Sequence, residues 1–349
     1  MRGYRIEDRA GHLHLSLHED LPMPQAGPGQ LLVRVKAAGL NRGEFIAGHG
    51  LHSPHGGAKP VGGEASGVVV ACGPGAAHDA ASSGTAPEVP TTAIPRAWRV
   101  GDAVFGRCAG AFAEYTLMDV REAMPMPPSL DWAQAASVPL TFMVGYDMLV
   151  QQGRLRSGDW LLVAGVASGV GVSALLAAKA MGARVIGTSG SPAKLERLKA
   201  LGLDVGVATR GPDFTPAVLE ATQGHGVQLA LNTVGGSVFG ACVQSLAFEG
   251  RLAMVGYVDG QLSAPLDLQA LHAKRLSLFG VSNKLRTAAQ KAQTAAGFQA
   301  DWGPLLADGR LRPVVDGVWP FEELEAARAA MQADRHVGKL VLLGSQEAS

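Results

Sequence analysis

The alternation of apolar and polar positions changes its period near residue 130. Before it, short runs alternate every second residue, as a strand with one buried face does. The clearest is LLVRVKAAGL (31–40), where Leu31, Val33 and Val35 share one face and Leu32, Arg34 and Lys36 the other. Further strand-like runs stand within 60–73, 98–106 and 109–118, separated by Gly and Pro, and this predicts a small β-rich barrel. Leu130 to Gln152 then reads as a helix interrupted by Pro139. Buried-strand runs follow at 160–164, 184–188, 204–208, 228–234, 251–256 and 276–281, with helix-like segments at 170–181, 192–201, 213–223 and 237–248 between them. Six such strands alternating with helices predict a doubly wound, parallel α/β domain. Helices at 285–297 and 321–333 and a strand at 337–343 complete the chain.

Trp160 to Ala164 leads into a turn of small residues, Gly165 to Gly171, and then into an Ala-rich helix. A strand, a tight turn and a helix start make a site for an anion, because the first helical N–H groups and the positive end of the dipole face it. Side chains there would hold a pyrophosphate away from those amides. Val166, Ser168 and Gly171 stand at the three glycine positions of G-x-G-x-x-G, so the fingerprint is degenerate. Alone, it is weak evidence for a dinucleotide site, and an ordinary Gly-rich strand–helix corner stays open as the alternative.

The second strand runs into Thr188-Ser189-Gly190-Ser191, and no acid follows until Glu196. A carboxylate at that point accepts hydrogen bonds from a ribose 2′-hydroxyl and repels a 2′-phosphate. Hydroxyls with Lys194 beside them, and Arg210 after the third strand, suit the phosphate instead. The predicted cofactor is NADPH.

A length of 349 residues allows two domains of ordinary size. With 47% hydrophobic and 17% charged residues the chain is globular. Lys plus Arg equals Asp plus Glu at 30 each, a balance that excludes a nucleic-acid binder and points to small-molecule partners. Three scattered cysteines argue against disulfides and a thiolate metal site, and fit a reducing cytoplasm. No membrane span or apolar leader is read. His49, His52 and His55 lie in a Gly/Pro loop without a carboxylate or cysteine nearby, so no metal site is expected. Glu64, on a tight Gly turn, is expected to organise backbone N–H groups, and residues 74–97 read as a long surface insertion.

The order of these parts resembles the medium-chain dehydrogenase/reductase superfamily. LLVRVKAAGLNRGEFIAGHG (31–50) and GGEASGVV (62–69) are similar to the zinc-independent, quinone oxidoreductase-like branch. GDAVFG (101–106), AFAEYTLM (111–118), ASVPLTFMVGYDML (136–149), GVASGVG (165–171), LNTVGG (231–236), GRLAMVG (250–256) and HVGKLVL (336–342) follow in family order. Asn41 and Gly63 stand where the zinc-dependent branch has a Cys and a His, and the four-cysteine structural zinc lobe is missing. His52 replaces a usual Tyr, Val144 a usual Thr and Asn232 a usual Asp.

The resemblance implies a GroES-like catalytic domain over 1–130 and 298–349 and a Rossmann domain over 131–297. The substrate cleft is expected between them. Asn41 is the expected donor to a substrate oxygen, with His52 or Tyr146 as proton source and Phe45 and Met143 against the substrate. The cofactor is expected on Ser168, Gly169, Val170 and Gly171 at its pyrophosphate, and on Ser189, Gly190, Lys194 and Arg210 at its 2′-phosphate. Thr233, Val234, Gly256, Tyr257, Phe279, Val281 and Lys339 are expected to complete its site. The edge strand near 276–281 implies a homodimer. The implied reaction is hydride transfer from NADPH to a quinone or an α,β-unsaturated carbonyl. An enoyl-thioester reductase, with Arg42, Lys59 and Arg286 as a basic rim for coenzyme A, and a non-catalytic NADPH-binding protein are the alternatives.

Overall fold

A computed structural model of the chain describes residues 1–9, 11–46, 57–76 and 97–345. Their contacts form two compact units, Met1–Leu140 with Arg286–Ser349, and Thr141–Leu285. The barrel unit thus takes in 131–140 and 286–297, which the expected bounds gave to the Rossmann domain. Trp132–Ala136 packs on the strands Gln30–Gly39 and Glu64–Cys72, and Ala288–Asp301 packs on Tyr115–Pro125. Both helices belong to the unit whose core they cover.

In the first unit, Gln30–Gly39, Glu64–Cys72, Ala103–Ala109 and Tyr115–Pro125 pair in that order. Gln30–Gly39 also pairs with Tyr115–Pro125, so the four strands close on one another. The alternation read at 31–36 explains the closure: Leu31, Val33 and Val35 are buried, while Arg34 and Lys36 are only partly so. Register shifts at Leu32/Val33 and Val35/Ala37 bend this strand between its two partners. Lys339–Leu343 adds antiparallel to its outer end and Val315–Trp319 lies parallel beyond. Phe112, Met118, Trp98 and Leu31 lie in the core.

The second unit is a six-stranded parallel sheet. Its strands are Trp160–Ala164, Arg184–Ser189, Val205–Ala208, Val227–Asn232, Leu246–Met254 and Ser277–Gly280. Across the sheet they run third, second, first, fourth, fifth, sixth, the doubly wound order. The order reverses between Trp160–Ala164 and Val227–Asn232, where such folds leave a crevice at the strands' carboxyl ends. Leu161, Leu162, Val163 and Leu229 are fully buried, as the continuous apolar runs require.

Candidate functional site

The turn after Trp160–Ala164 is built by three residues. Gly165 takes a φ of +82°, a conformation that side chains disfavour. Ser168 caps the helix Gly169–Ala180: its Oγ accepts from the Gly171 amide at 3.1 Å and donates to the Gly165 carbonyl at 2.9 Å. A Cβ at Gly171 would meet the carbonyl oxygens of Gly165 and Val166 at 2.6 and 2.7 Å, so only glycine lets helix and turn approach this closely. Val166, at the first fingerprint position, is fully buried. A Cβ at Gly187, on the next strand, would come within 2.6–2.9 Å of the Val166 side chain. The glycine missing from the turn is thus matched by one across from it. Gly169 and Val170 present amides of the first helical turn beside the exposed Ser168. This cradle fits the pyrophosphate of a dinucleotide.

At the end of Arg184–Ser189 the corner carries hydroxyls and a cation. The exposed Arg210 lies across Gly190: a Cβ there would meet its Cγ at 2.5 Å and Cζ at 2.9 Å. Ser189 accepts from the Ser191 amide at 3.2 Å, and Ser191 caps Pro192–Lys199 by accepting from the Lys194 amide at 3.3 Å. Ser189, Gly190 and Arg210 therefore lie at one corner with the Lys194 amide, and Glu196 is paired with Lys199 at 2.7 Å along its own helix.

After Val227–Asn232 the chain makes a second tight turn. Asn232 Oδ1 accepts from the Val234 and Gly235 amides at 3.0 and 2.9 Å, while its Nδ2 donates to the Gly235 carbonyl at 2.9 Å. An aspartate has no such donor, which gives the asparagine here a physical reason. Thr233 is buried and donates to the Ala164 carbonyl at 2.7 Å, tying this turn to the first. The Val255 and Gly256 amides return to the Asn232 carbonyl at 2.9 and 3.3 Å. Thr233, Val234 and Gly256 thus sit together at the carboxyl ends of adjacent strands. Phe279 and Val281 belong to the last strand of the sheet and the residue beyond it.

The first unit holds a buried polar cluster around Asn41. Lys339 is 5% exposed and Glu64 wholly buried, and they pair at 2.6 Å. Lys339 also donates to the Leu40 carbonyl and to Asn41 Oδ1, both at 2.8 Å. Asn41 Nδ2 donates to Glu64 Oε1 at 3.0 Å and, more weakly, to the Gly39 carbonyl at 3.4 Å. The other Glu64 oxygen accepts the Leu140 amide at 2.7 Å, so this carboxylate organises three donors. Glu44, in the turn Arg42–Phe45, accepts from the Asn41 amide at 3.0 Å. Burial pushes the Glu44 carboxyl up to about 7, opposed by the nearby Lys339 charge. All three N–H groups of Lys339 are taken, which leaves none for the cofactor contact expected of it.

Zinc needs a different donor set. Asn41 is held by both its amide atoms, Gly63 offers no side chain, and Glu64 is neutralised by Lys339. A Cβ at Gly63 would meet Glu44 Oε1 at 3.0 Å and Leu140 Cδ1 at 3.1 Å. These residues do not fit a catalytic zinc. Among the described residues no group of three or more His, Cys, Asp or Glu is placed to hold a metal ion.

The remaining expected residues are divided between the two units. Phe45 is buried in the barrel core, stacked at 6.3 Å on Phe112 with Arg328 over its ring. Met143 and Tyr146 are buried on the helix Pro139–Tyr146, and Tyr257 is half exposed. His52, with His49 and His55, lies outside the described residues. Glu64 organises a backbone amide as expected, but neither its pairing with Lys339 nor the role of Glu44 was anticipated. A buried charge leaves no periodic signal, although the Gly-Glu pairs at 43–44 and 63–64 and the Lys inside a closing apolar strand are available clues.

Comparison with known proteins follows the same division. The family described as alcohol dehydrogenase GroES-like domain matches residues 27–128, and the zinc-binding dehydrogenase family matches residues 169–295. The chain belongs to the medium-chain dehydrogenase/reductase superfamily of oxidoreductases. Among solved members, mycobacterial Rv1454c complexed with NADPH is 27% identical, with a TM-score of 0.82 and coverage of 98% of this chain and 100% of that one. A quinone oxidoreductase of Pseudomonas syringae pv. tomato is 25% identical, with a TM-score of 0.80 and coverage of 98% and 100%. Spectinabilin polyketide synthase system protein NorB of Streptomyces orinoci is 33% identical over 329 residues, 92% of this chain but 14% of NorB. A phenolphthiocerol/phthiocerol polyketide synthase protein of Mycobacterium tuberculosis is 32% identical over 346 residues, covering 98% and 15%. The chain spans about one seventh of the length of these curated relatives.

Proposed function

We propose that this superfamily member is an NADPH-dependent, zinc-independent reductase of α,β-unsaturated carbonyls and quinones. The observation that carries the reading is the Asn41 amide, locked by Glu64 and Lys339 at the position a zinc ligand occupies in the zinc-dependent branch. Without a Lewis acid, the acceptor must be activated by its own conjugation and by hydrogen bonds. NADPH, when bound, supplies the hydride. The helix start at Gly169 holds its pyrophosphate, and Ser189, Gly190, Lys194 and Arg210 hold the 2′-phosphate. The NADPH complex of Rv1454c supports this choice of cofactor.

Lys339 fixes which end of the Asn41 amide is offered. With Oδ1 bound to the ammonium, Asn41 can present only N–H to a substrate oxygen. The N–H that reaches Gly39 at 3.4 Å is the weaker of the two contacts and the one a carbonyl oxygen displaces. Protonation of the reduced substrate falls to solvent, or to His52 or Tyr146. The polyketide synthase relatives favour a second reading, an enoyl thioester as acceptor. Two basic residues expected to bind coenzyme A are engaged within the chain: Arg42 with Asp334 at 3.2 Å, and Arg286 with Thr294 at 2.6 Å. That favours simple enones and quinones over free acyl-CoA.

NADPH oxidation against a panel of enones, quinones and enoyl thioesters tests the proposal. Turnover of at least one enone or quinone is expected, with Asn41→Ala lowering kcat by about 10²-fold, the scale of one oxyanion donor. Tight NADPH binding with no turnover on the whole panel identifies a non-catalytic binder instead.

A further inference from the structure

The helix Pro139–Tyr146 widens at its end into a π-helical turn, Asp147–Gln151, closed by the Gln152 amide donating to the Asp147 carbonyl at 2.9 Å. Gly153 permits the widening, since a Cβ there would run into the Met148 carbonyl oxygen. The wide turn changes which side chains meet. In an α-helix, residues five apart lie about 140° apart around the axis and face different ways. Here they come together, and Gln152 Nε2 donates to Asp147 Oδ2 at 3.1 Å. Asp147 is only 6% exposed, so its carboxylate is costly to place here unless hydrogen bonds satisfy it.

The same Gln152 nitrogen donates to the Gly280 carbonyl at 3.3 Å, so both hydrogens of its amide are used. Gly280 ends the sixth strand, Ser277–Gly280, at the edge of the parallel sheet. The next amide, that of Val281, donates inward to the Met254 carbonyl of the fifth strand at 3.3 Å. A trans peptide points its C=O opposite to its N–H, so the Gly280 carbonyl faces out of the sheet, where an edge strand has no ladder partner for it. Gln152 supplies one. The last peptide of the strand is therefore held from both sides, by the fifth strand and by the π turn, all within Thr141–Leu285.

In a doubly wound sheet the ligand lies outside the carboxyl ends of the strands. The 2′-phosphate corner ends the second strand and the pyrophosphate cradle the first, so the rest of a dinucleotide continues towards the fourth, fifth and sixth. The Gly280 peptide closes the last of these. We propose that Asp147 and Gln152 are positioning residues for the nicotinamide half of NADPH. They act through the Gly280 peptide and fix the strand end, Phe279 to Val281, beside which that half lies. The proposal rests on the NADPH reading of this unit and needs no particular acceptor.

Equilibrium binding of NADPH and of 2′,5′-ADP, which carries the 2′-phosphate but no nicotinamide, separates the two halves of the site. Gln152→Met keeps the length of the side chain and removes its donors. It is expected to raise the NADPH Kd about fivefold, the net worth of about one hydrogen bond, and to leave the 2′,5′-ADP Kd unchanged. Asp147→Ala should reproduce that split, and adding Gln152→Met to it should cost nothing more, because the two residues act in one chain. Asp147→Asn keeps an acceptor for Gln152 and should restore most of the affinity. Equal weakening of NADPH and 2′,5′-ADP, or no change in either, overturns the proposal, and so do additive effects of the two substitutions. A rise in solution mass of Gln152→Met at unchanged NADPH Kd assigns the amide to guarding the sheet edge and overturns it too. If Asp147→Ala does not fold, Gln152→Met alone decides. Turnover tests the reductase reading separately: a wild-type chain that binds NADPH and reduces no acceptor ends that reading and leaves the binding comparison intact.

Discussion

Asn41, Glu44, Glu64 and Lys339 place two carboxylates and one ammonium in the barrel interior, and their charges must be reconciled there. Removing the ammonium alone leaves Glu64 buried without a counter-charge, which costs about 3–5 kcal/mol. Lys339→Met should therefore lower stability by that amount in urea unfolding, and Glu64→Gln in the same chain should recover much of it. Glu44 carries the excess charge. Its carboxyl ordinarily titrates at 4.5 and here is raised to about 7 by burial. Between those values the folded state binds more protons than the unfolded chain, so stability falls as pH rises. At about 1.4 kcal/mol per pH unit the loss is about 3 kcal/mol, nil below pH 4.5 and complete above pH 7. Unfolding free energies at pH 5 and pH 8 should show this slope, and Glu44→Gln should flatten it. At the other unit, Arg210→Ala should raise KM for NADPH about tenfold and leave that for NADH unchanged.

The Rossmann elements were legible because their runs are long, apolar and regularly spaced. Six strands and the intervening helices Gly169–Ala180, Pro192–Lys199, Thr215–Ala221 and Gly236–Gln244 lie where the period placed them, within a few residues. Val315–Trp319 is not legible in the sequence because Asp316 and Gly317 interrupt its alternation, where its pairing also shifts register. The degenerate turn was harder. Its missing glycine is recovered at Gly187, on a different strand, where no motif looks for it. Gly187→Ala should overpack that contact, costing about 1–3 kcal/mol in thermal unfolding and weakening NADPH binding. Val166→Ala should restore both, and independent additive effects would show that the two positions are not coupled.

As a whole molecule, the chain divides into a closed barrel unit and a doubly wound unit, as the change of period near residue 130 implied. Where the chain passes from one to the other was less legible, since a helix reads alike whichever core it covers. No helix among the described residues is long and apolar enough to cross a membrane. The edge strand Ser277–Gly280 pairs on one side only, with Leu285 nearby 92% exposed. Pairing of two such edges predicts a two-fold dimer, and sedimentation at micromolar concentration should give twice the chain mass. The proposed reductase delivers hydride to the β-carbon of its acceptor, and isotopic labelling reads where that hydride goes. With NADPH deuterated at the transferring position of the nicotinamide and a simple enone, mass spectrometry of the product should find deuterium on the β-carbon of a saturated ketone. Deuterium on the carbonyl carbon of an allylic alcohol would rule out the proposed enone reduction, because it would show chemistry of the zinc-dependent kind.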